Sequence, residues 1–414
     1  MTTPPRLTIS DKGLKLSIVD RSKGEIVIVF QDGRVAREQL IESSPPGSTQ
    51  ISKIILDWDT WSVAHVTNRG DIVMAEAYSP STEAPLRGRR SVYLDQNHWS
   101  TVGTALTNPA RVQNKSELRA ALEIVELARS GVIVLPVSAA HLRETAALHG
   151  DRRYEVGVAM AELSSGWQFR HPTSVWRNEL IRALAEELSV APPASADLPV
   201  ITLEPHALLD DDISAQGMES DGIELFVLAV SGPSAILDHL IDPKPTAPAR
   251  IPNWVARQEE IAGLLRRGDQ SKGQKRSAAY GALWADNLLP TLEVLKDLGI
   301  DLETLPPFSE PTILRVFQSE PMLRYFSQLM TQRLINSSTR WRENDLTDLL
   351  FLAAGAGYAD YVAAEKHTGN QLRQAQESWG EPITVFKSLR ELADKLRADG
   401  LLLAGESSAA SKEV

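Results

Sequence analysis

Two separate parts of this chain carry short, continuous apolar runs, and each run is followed by a helical pattern. Residues 132–135 (VIVL) and 361–364 (YVAA) are such runs, and neither contains a charged residue. A strand that is apolar on both faces is typical of a parallel sheet whose two sides are covered by helices. Ser138, three residues after the first run, is a good helix N-cap. We therefore predict an α/β fold, a parallel sheet flanked by helices.

The rest of the chain divides by composition. Residues 1–85 contain β-branched runs separated by turn signals, which predict a small β-rich domain, a sandwich or a barrel. The α/β pattern occupies residues 91–175 and returns in residues 336–399. Residues 400–414 are small and polar, and we predict a disordered tail there.

Residues 176–335 predict a mostly helical insertion between the two α/β segments. Helical patterns cover residues 176–188, 219–230, 254–267, 278–298 and 311–335. Pro290 should kink or split the fourth of these, because proline lacks a backbone N–H group and clashes with the preceding turn. Residues 250–276 are rich in Lys and Arg and form a candidate phosphate-binding surface.

Composition excludes several classes of function. The chain has 414 residues and no cysteine, which rules out disulfides, thiolate catalysis and cysteine-bound zinc. Its net charge of −11 argues against a protein that coats nucleic acid nonspecifically. We see neither a signal peptide nor an apolar run long enough to span a bilayer, so we predict a cytoplasmic protein with no membrane partner.

Acidic residues stand where an α/β sheet presents functional groups. Asp95 and Glu365 each end a predicted strand, and ligands of open α/β sheets bind beyond the carboxyl ends of the strands. Glu144 lies on a helix that follows a strand, while Asp345 and Asp348 share one face of a later helix. Carboxylates that share a site repel one another, and a hard cation such as Mg²⁺ or Mn²⁺ relieves that repulsion.

Five segments resemble, in the same order, the motifs of PIN-like nucleases. They are residues 92–99 (VYLDQNHW), 135–144 (LPVSAAHLRE), 344–350 (NDLTDLL), 358–366 (YADYVAAEK) and 385–389 (VFKSL). The first is similar to the family's opening strand with its terminal Asp, and the second to its strand that is followed by Ser and a helical Glu. The third is similar to the acidic start of the family's late helix. The last two are similar to the strand that carries the last acid and to the closing strand and helix. The resemblance covers about 150 of the 414 residues, in two pieces.

The resemblance implies a PIN-like fold and a metal-dependent nuclease that hydrolyses phosphodiester bonds, with RNA favoured over DNA as substrate. It implies that four acids hold Mg²⁺ or Mn²⁺: Asp95, Glu144, Asp348 and Glu365. Asp345 would be a neighbouring catalytic acid. Because Asp is commoner than Glu at the last acidic position of the family, Asp360 is a second candidate for the fourth metal ligand.

Polar residues beside these acids are candidate substrate contacts. Asn97 and His98 follow Asp95 directly, and Arg340 and Arg342 precede the acidic helix. The N-terminal β domain and the helical insertion offer surfaces for a protein partner or a second copy of the chain.

Two alternatives to a nuclease stay open. One is a haloacid-dehalogenase-type phosphatase, which also places an Asp after its first strand. That family normally has a second Asp two residues later, where this chain has Asn97. The other is a catalytically inactive module that keeps the fold and binds nucleic acid or protein.

Overall fold

The computed structural model describes residues 13–40, 49–79, 85–210, 222–244, 252–303, 305–336 and 340–403. Most of the tail that was predicted to be disordered, residues 404–414, lies outside this range.

Most of the strands belong to two sheets. The first contains β1 (Leu14–Asp20), β2 (Glu25–Phe30), β3 (Val35–Gln39), β4 (Ile51–Asp57), β5 (Ser62–Thr67) and β6 (Ile72–Glu76). The second contains β7 (Arg90–Leu94), β8 (Ile133–Val134), β11 (Tyr361–Ala363) and β12 (Val385–Phe386), and a two-stranded sheet pairs β9 (Gln168–Phe169) with β10 (Ile201–Thr202).

Fourteen α-helices lie within the described residues. The first six are α1 (Gln96–Thr107), α2 (Lys115–Arg129), α3 (Ala139–Ala146), α4 (Gly150–Ser164), α5 (Pro172–Glu187) and α6 (Gly222–Ile241). The next five are α7 (Pro252–Arg267), α8 (Lys272–Asp286), α9 (Leu288–Asp297), α10 (Glu310–Ser319) and α11 (Pro321–Ile335). The last three are α12 (Asp345–Tyr358), α13 (Lys366–Trp379) and α14 (Leu389–Ala398).

The predicted parallel sheet is confirmed. Its strand order is β12-β11-β7-β8, and every neighbouring pair is parallel. Burial alternates along its strands: Val92 and Leu94 belong to one apolar cluster, whereas Tyr93 belongs to another. Each face of the sheet is therefore covered. The cluster on the Tyr93 side also contains residues of α5 and α7 to α13, and the cluster on the other side contains residues of α1, α2, α4, α6 and α14.

The N-terminal region forms a single antiparallel sheet with the order β3-β2-β1-β4-β5-β6. The prediction of a sandwich or barrel was wrong, because helices rather than a second sheet cover the buried face. Leu56 and Val63 share a core cluster with Leu237 of α6 and with Met160 of α4. The same cluster contains Val92 of the parallel sheet, so one continuous core joins the two sheets.

Prolines and glycines set several helix ends. The helix predicted over residues 278–298 is split at Asn287, three residues before Pro290, as expected. The pattern over residues 311–335 is also split, because Pro321 begins a new helix. Gly150 begins α4 with a positive φ of 60°. No helix was predicted where α4 lies.

Helix α6 is the longest apolar helix in the described part of the chain, and it bears on the expectation that no segment crosses a bilayer without deciding it. Among the described residues it is the one helix that is long and apolar enough to do so by length and composition. In this structure it packs within the protein. His65 of β5 hydrogen-bonds Ser234 at 2.8 Å, and the buried Arg153 donates to the carbonyl oxygens of His239 and Leu240 at the end of the helix.

One glycine sets the distance between α12 and the parallel sheet. A Cβ atom at Gly355 would lie 2.9 Å from Cδ1 of Tyr93, closer than carbon atoms pack. The absence of a side chain therefore lets α12 lie directly on β7. Because Asp348 belongs to this helix and Asp95 follows this strand, the contact helps to fix the spacing between two candidate site residues.

Candidate active site

Four acids that are far apart in sequence line one cleft at the carboxyl edge of the parallel sheet. Its volume is about 120 Å³. The acids are Asp95, Glu144, Asp348 and Glu365. Asp95 follows β7, Glu365 follows β11, Glu144 lies on α3 and Asp348 lies on α12. We call this feature the acidic cleft.

Hydrogen bonds hold Asp95 in place. Its Oδ1 lies 2.7 Å from Nδ1 of His98 and accepts the backbone N–H of His98, which caps α1. Its Oδ2 accepts the backbone N–H of Glu365 at 2.7 Å. Burial alone would raise the pKa of Asp95, but these donors outweigh it and lower the pKa below its ordinary value. Asp95 is therefore a fixed anion at the floor of the cleft.

Glu144 and Asp348 behave in the opposite way. Burial, together with the negative charges of Asp348 and Asp95, raises the pKa of Glu144 to about 7. Burial and the charges of Asp345, Glu365 and Asp95 raise the pKa of Asp348 to about 6. Both side chains are open to solvent, but the surrounding protein limits their hydration. The cleft therefore concentrates negative charge that the chain itself does not neutralise.

This donor set fits a hard divalent cation. Carboxylate oxygens are the ligands that Mg²⁺ and Mn²⁺ prefer, and a cation would relieve the repulsion that raises these pKa values. The acids are not gathered around a common point, however. Across the described ranges of the chain, no group of three or more His, Asp or Glu side chains could already hold a metal ion. Glu144, Asp348 and Glu365 are exposed, so their side chains can change rotamer.

The structure does not bring Asp345 into the cleft. Asp345 is buried, forms an ion pair with Arg333 of α11, and accepts the backbone N–H of Arg342 at 2.5 Å. It therefore fixes the start of α12 and acts on the cleft only through its charge, which raises the pKa of Asp348. Arg340 and Arg342 are exposed and do not line the cleft.

Asp360 lies at the opposite edge of the parallel sheet. Because β7 and β11 are parallel, Asp360 stands beside the start of β7, while Glu365 stands beside its end. Asp360 accepts the backbone N–H and the hydroxyl of Ser91, both at 2.8 Å, and pairs with Arg90. Of the two candidates for the fourth acid, Glu365 alone lines the cleft.

Polar residues beside the acids differ in their roles. Asn97 lines the cleft, and its role as a substrate contact stays a prediction. His98 is buried and holds Asp95, so it is a positioning residue. His141 also lines the cleft, but its Nδ1 accepts the backbone N–H of Ser138, and burial lowers its pKa to about 4. Because Nδ1 accepts a hydrogen bond, the proton of the neutral ring lies on Nε2, and neither nitrogen offers a free lone pair to a metal.

Gln96, Phe351 and Thr368 also line the cleft, although they were not among the predicted site residues. Gln96 donates to the hydroxyl of Thr145 at 3.1 Å, while its buried Oε1 has no partner among the described residues. Thr368 lies one helical turn after Glu365, and Phe351 lies three residues after Asp348. Proximity in sequence to the acids was the available signal for all three.

Arg143 stands close to the cleft. The guanidinium of Arg143 lies 5.7 Å from the centre of the Phe351 ring, and its charge partly opposes the rise in the pKa of Glu144. In contrast, arginines of the predicted basic stretch are engaged elsewhere. Arg257 pairs with Asp286, and Arg266 pairs with Glu259. The stretch is partly outside the described residues, which resume at residue 252.

Comparison of the chain with models of protein families, with curated proteins and with solved structures gave no match.

Proposed function

We propose that this chain is a metal-dependent nuclease with a PIN-like catalytic unit, that it acts on RNA in preference to DNA, and that it works in the cytoplasm. One observation carries the proposal: four carboxylates from separate parts of the chain line one cleft beyond the carboxyl ends of parallel strands. This edge is where α/β sheets bind ligands. The proposal also rests on the order of the five segments that resemble PIN-like nucleases.

In the proposed reaction, Asp95, Glu144, Asp348 and Glu365 hold Mg²⁺ or Mn²⁺. Such a cation, when bound, lowers the pKa of water and offsets the charge of a phosphodiester. His98 keeps Asp95 ionised and oriented. Glu144, whose pKa is about 7 without metal, would give up its proton when the cation binds. Arg143, at the side of the cleft, attracts the phosphate backbone.

The structure does not favour the phosphatase alternative. The residue two positions after Asp95 is Asn97, which lines the cleft but has no acidic group to act as a general acid or base. The remaining alternative, an inactive binding module, is an outcome of the experiment below.

The direct test is cleavage of end-labelled single-stranded RNA and DNA of the same sequence, with Mn²⁺, Mg²⁺ or EDTA. Asp95→Asn is the informative variant, because Asn also caps helices well and removes only the charge. Asp59→Asn, on an exposed residue that does not line the cleft, is the matched control. We expect metal-dependent cutting of RNA by the natural protein and the control, and none by Asp95→Asn.

Two results would overturn the proposal. Cutting that survives in Asp95→Asn would place the activity outside the acidic cleft. Absence of cutting, combined with RNA binding that Asp95→Asn leaves unchanged, would identify the chain as a binding module.

A further inference from the structure

A second, larger cavity lies in the helical insertion. Its volume is about 570 Å³, within the range of pockets that enclose a small organic molecule. It shares one wall with the acidic cleft. Leu346 and Leu350 of α12 line the cavity, whereas Asp348 and Leu352 of the same helix line the cleft. Because these pairs lie on opposite sides of α12, the two sites are separate.

The walls of this cavity are apolar and aromatic. Trp176 and Phe326 are buried, and their rings meet edge to face with their centres 5.0 Å apart. Trp254 is half-buried and packs edge to face against Trp341. Aromatic faces of this kind attract flat rings, and they also attract cations.

The charged groups that line the cavity favour a cation over an anion. Three are carboxylates and two are arginines: Asp210, Asp286, Glu293, Arg177 and Arg257. Both arginines are neutralised by ion pairs, Arg177 with Asp297 at 2.6 Å and Arg257 with Asp286.

Glu293 is the carboxylate best placed to meet a ligand. It is exposed, and among the described residues no hydrogen bond or ion pair engages its side chain. Asp210, by comparison, already accepts from the hydroxyl of Thr173 and lies 3.6 Å from the His171 ring. The unneutralised charge at the cavity is therefore negative, which repels nucleotides and other phosphates.

We propose that this cavity binds a small aromatic cation: a flat ring enclosed by Trp176, Trp254 and Phe326, with an amine that pairs with Glu293. The site is independent of the acidic cleft, and its ligand is not the nuclease substrate.

A matched series of indoles tests the proposal. Tryptamine, 3-methylindole and indole-3-acetate carry the same ring with a positive, zero and negative charge. Their affinities for the full-length protein can be compared by isothermal titration calorimetry. We expect tryptamine to bind most tightly, about five-fold more tightly than 3-methylindole, since one partly exposed ion pair contributes about that factor. Indole-3-acetate should bind most weakly.

Substitutions test whether the indoles bind in this cavity. Glu293→Gln should remove the preference for tryptamine over 3-methylindole, while Glu310→Gln, on an exposed residue outside the cavity, should keep it. Pro290→Trp places a bulky ring at an exposed lining position and should block all three compounds. Leu289→Trp is its control, because Leu289 is 73% exposed and does not line the cavity.

Three outcomes would overturn the inference. The first is that none of the indoles binds. The second is that indole-3-acetate binds as tightly as tryptamine. The third is that Pro290→Trp and Leu289→Trp bind tryptamine equally well. RNA cleavage serves as an independent readout. If the natural protein does not cleave RNA, the nuclease proposal is refuted, but the indole-binding results are unaffected.

Discussion

Glu144→Gln should have opposite effects on stability with and without metal. In the folded protein, burial and the neighbouring carboxylates raise the pKa of Glu144 to about 7, whereas its ordinary value is 4.5. At one pKa unit per 1.4 kcal/mol, ionising this group in the fold would cost at most about 3.4 kcal/mol. Glu144 is exposed, so solvent screens the interaction, and we expect a cost of about 1 kcal/mol.

The sign follows from proton binding. Between pH 4.5 and 7 the folded state holds more protons on Glu144 than the unfolded state does, so the free energy of unfolding falls as pH rises through this range. Gln at this position does not titrate. In EDTA, Glu144→Gln should therefore match the natural protein at pH 4.5 and exceed it at pH 8.

Differential scanning calorimetry can measure this difference. With an unfolding entropy of about 2.1 cal/mol/K per residue, 1 kcal/mol shifts the Tm of a 414-residue chain by about 1 °C. Mn²⁺ at 100 times its Kd should raise the Tm of the natural protein by about 3 °C, from about 2.7 kcal/mol of binding free energy. The variant should gain less, so the order of stability reverses when metal is added.

Glu155→Gln is the control, because Glu155 is exposed and does not line the cleft. It should follow the natural protein under every condition. The reasoning is refuted if Glu144→Gln lowers the Tm at pH 8 in EDTA, or if Mn²⁺ stabilises the natural protein and Glu144→Gln by the same amount.

Three further predictions concern the geometry of the cleft. Glu365→Gln should lower the initial rate of RNA cleavage at least about 100-fold, whereas Asp360→Asn, at the opposite sheet edge, should keep kcat within about three-fold. Equal losses in the two variants would contradict the assignment of Glu365 as the fourth acid. Arg143→Gln should raise KM for RNA by about five-fold with little change in kcat. It should also reduce the slope of log KM against the logarithm of the salt concentration by about 1. An unchanged slope would exclude a contact between Arg143 and a phosphate. Gly355→Ala should lower the free energy of unfolding by about 1–3 kcal/mol in a denaturant titration, because the added methyl group meets the Tyr93 ring. An unchanged unfolding midpoint would show that α12 can shift away from Tyr93 without loss of stability.

Local patterns predicted the parts of the fold that depend on neighbouring residues. The N-cap at Ser138 and the parallel strands around residues 92 and 362 are correct, because capping and two-sided burial are encoded within a few residues. Asp95 and Glu365 were expected at strand ends, and the parallel register then places both at one edge.

The remaining features depend on long-range contacts that local patterns do not encode. The partner of Asp345 is Arg333, on a helix whose packing against α12 cannot be read from periodicity. Asp360 and Glu365 both flank the same strand, and only its direction separates their positions. The second cavity combines residues from six helices and a loop, so no short motif marks it.

The hydrogen bond between Asp95 and Glu365 has a consequence for synthesis of the chain. These residues are 270 positions apart. At 5–20 residues per second, a ribosome needs roughly 14 to 54 s to proceed from one to the other. During that time the nascent chain has Asp95 but lacks the backbone N–H that orients it, as well as the fourth acid. If the chain is a nuclease, it therefore becomes active only after Glu365 has been translated and has folded against Asp95, and the messenger RNA being translated is spared until then.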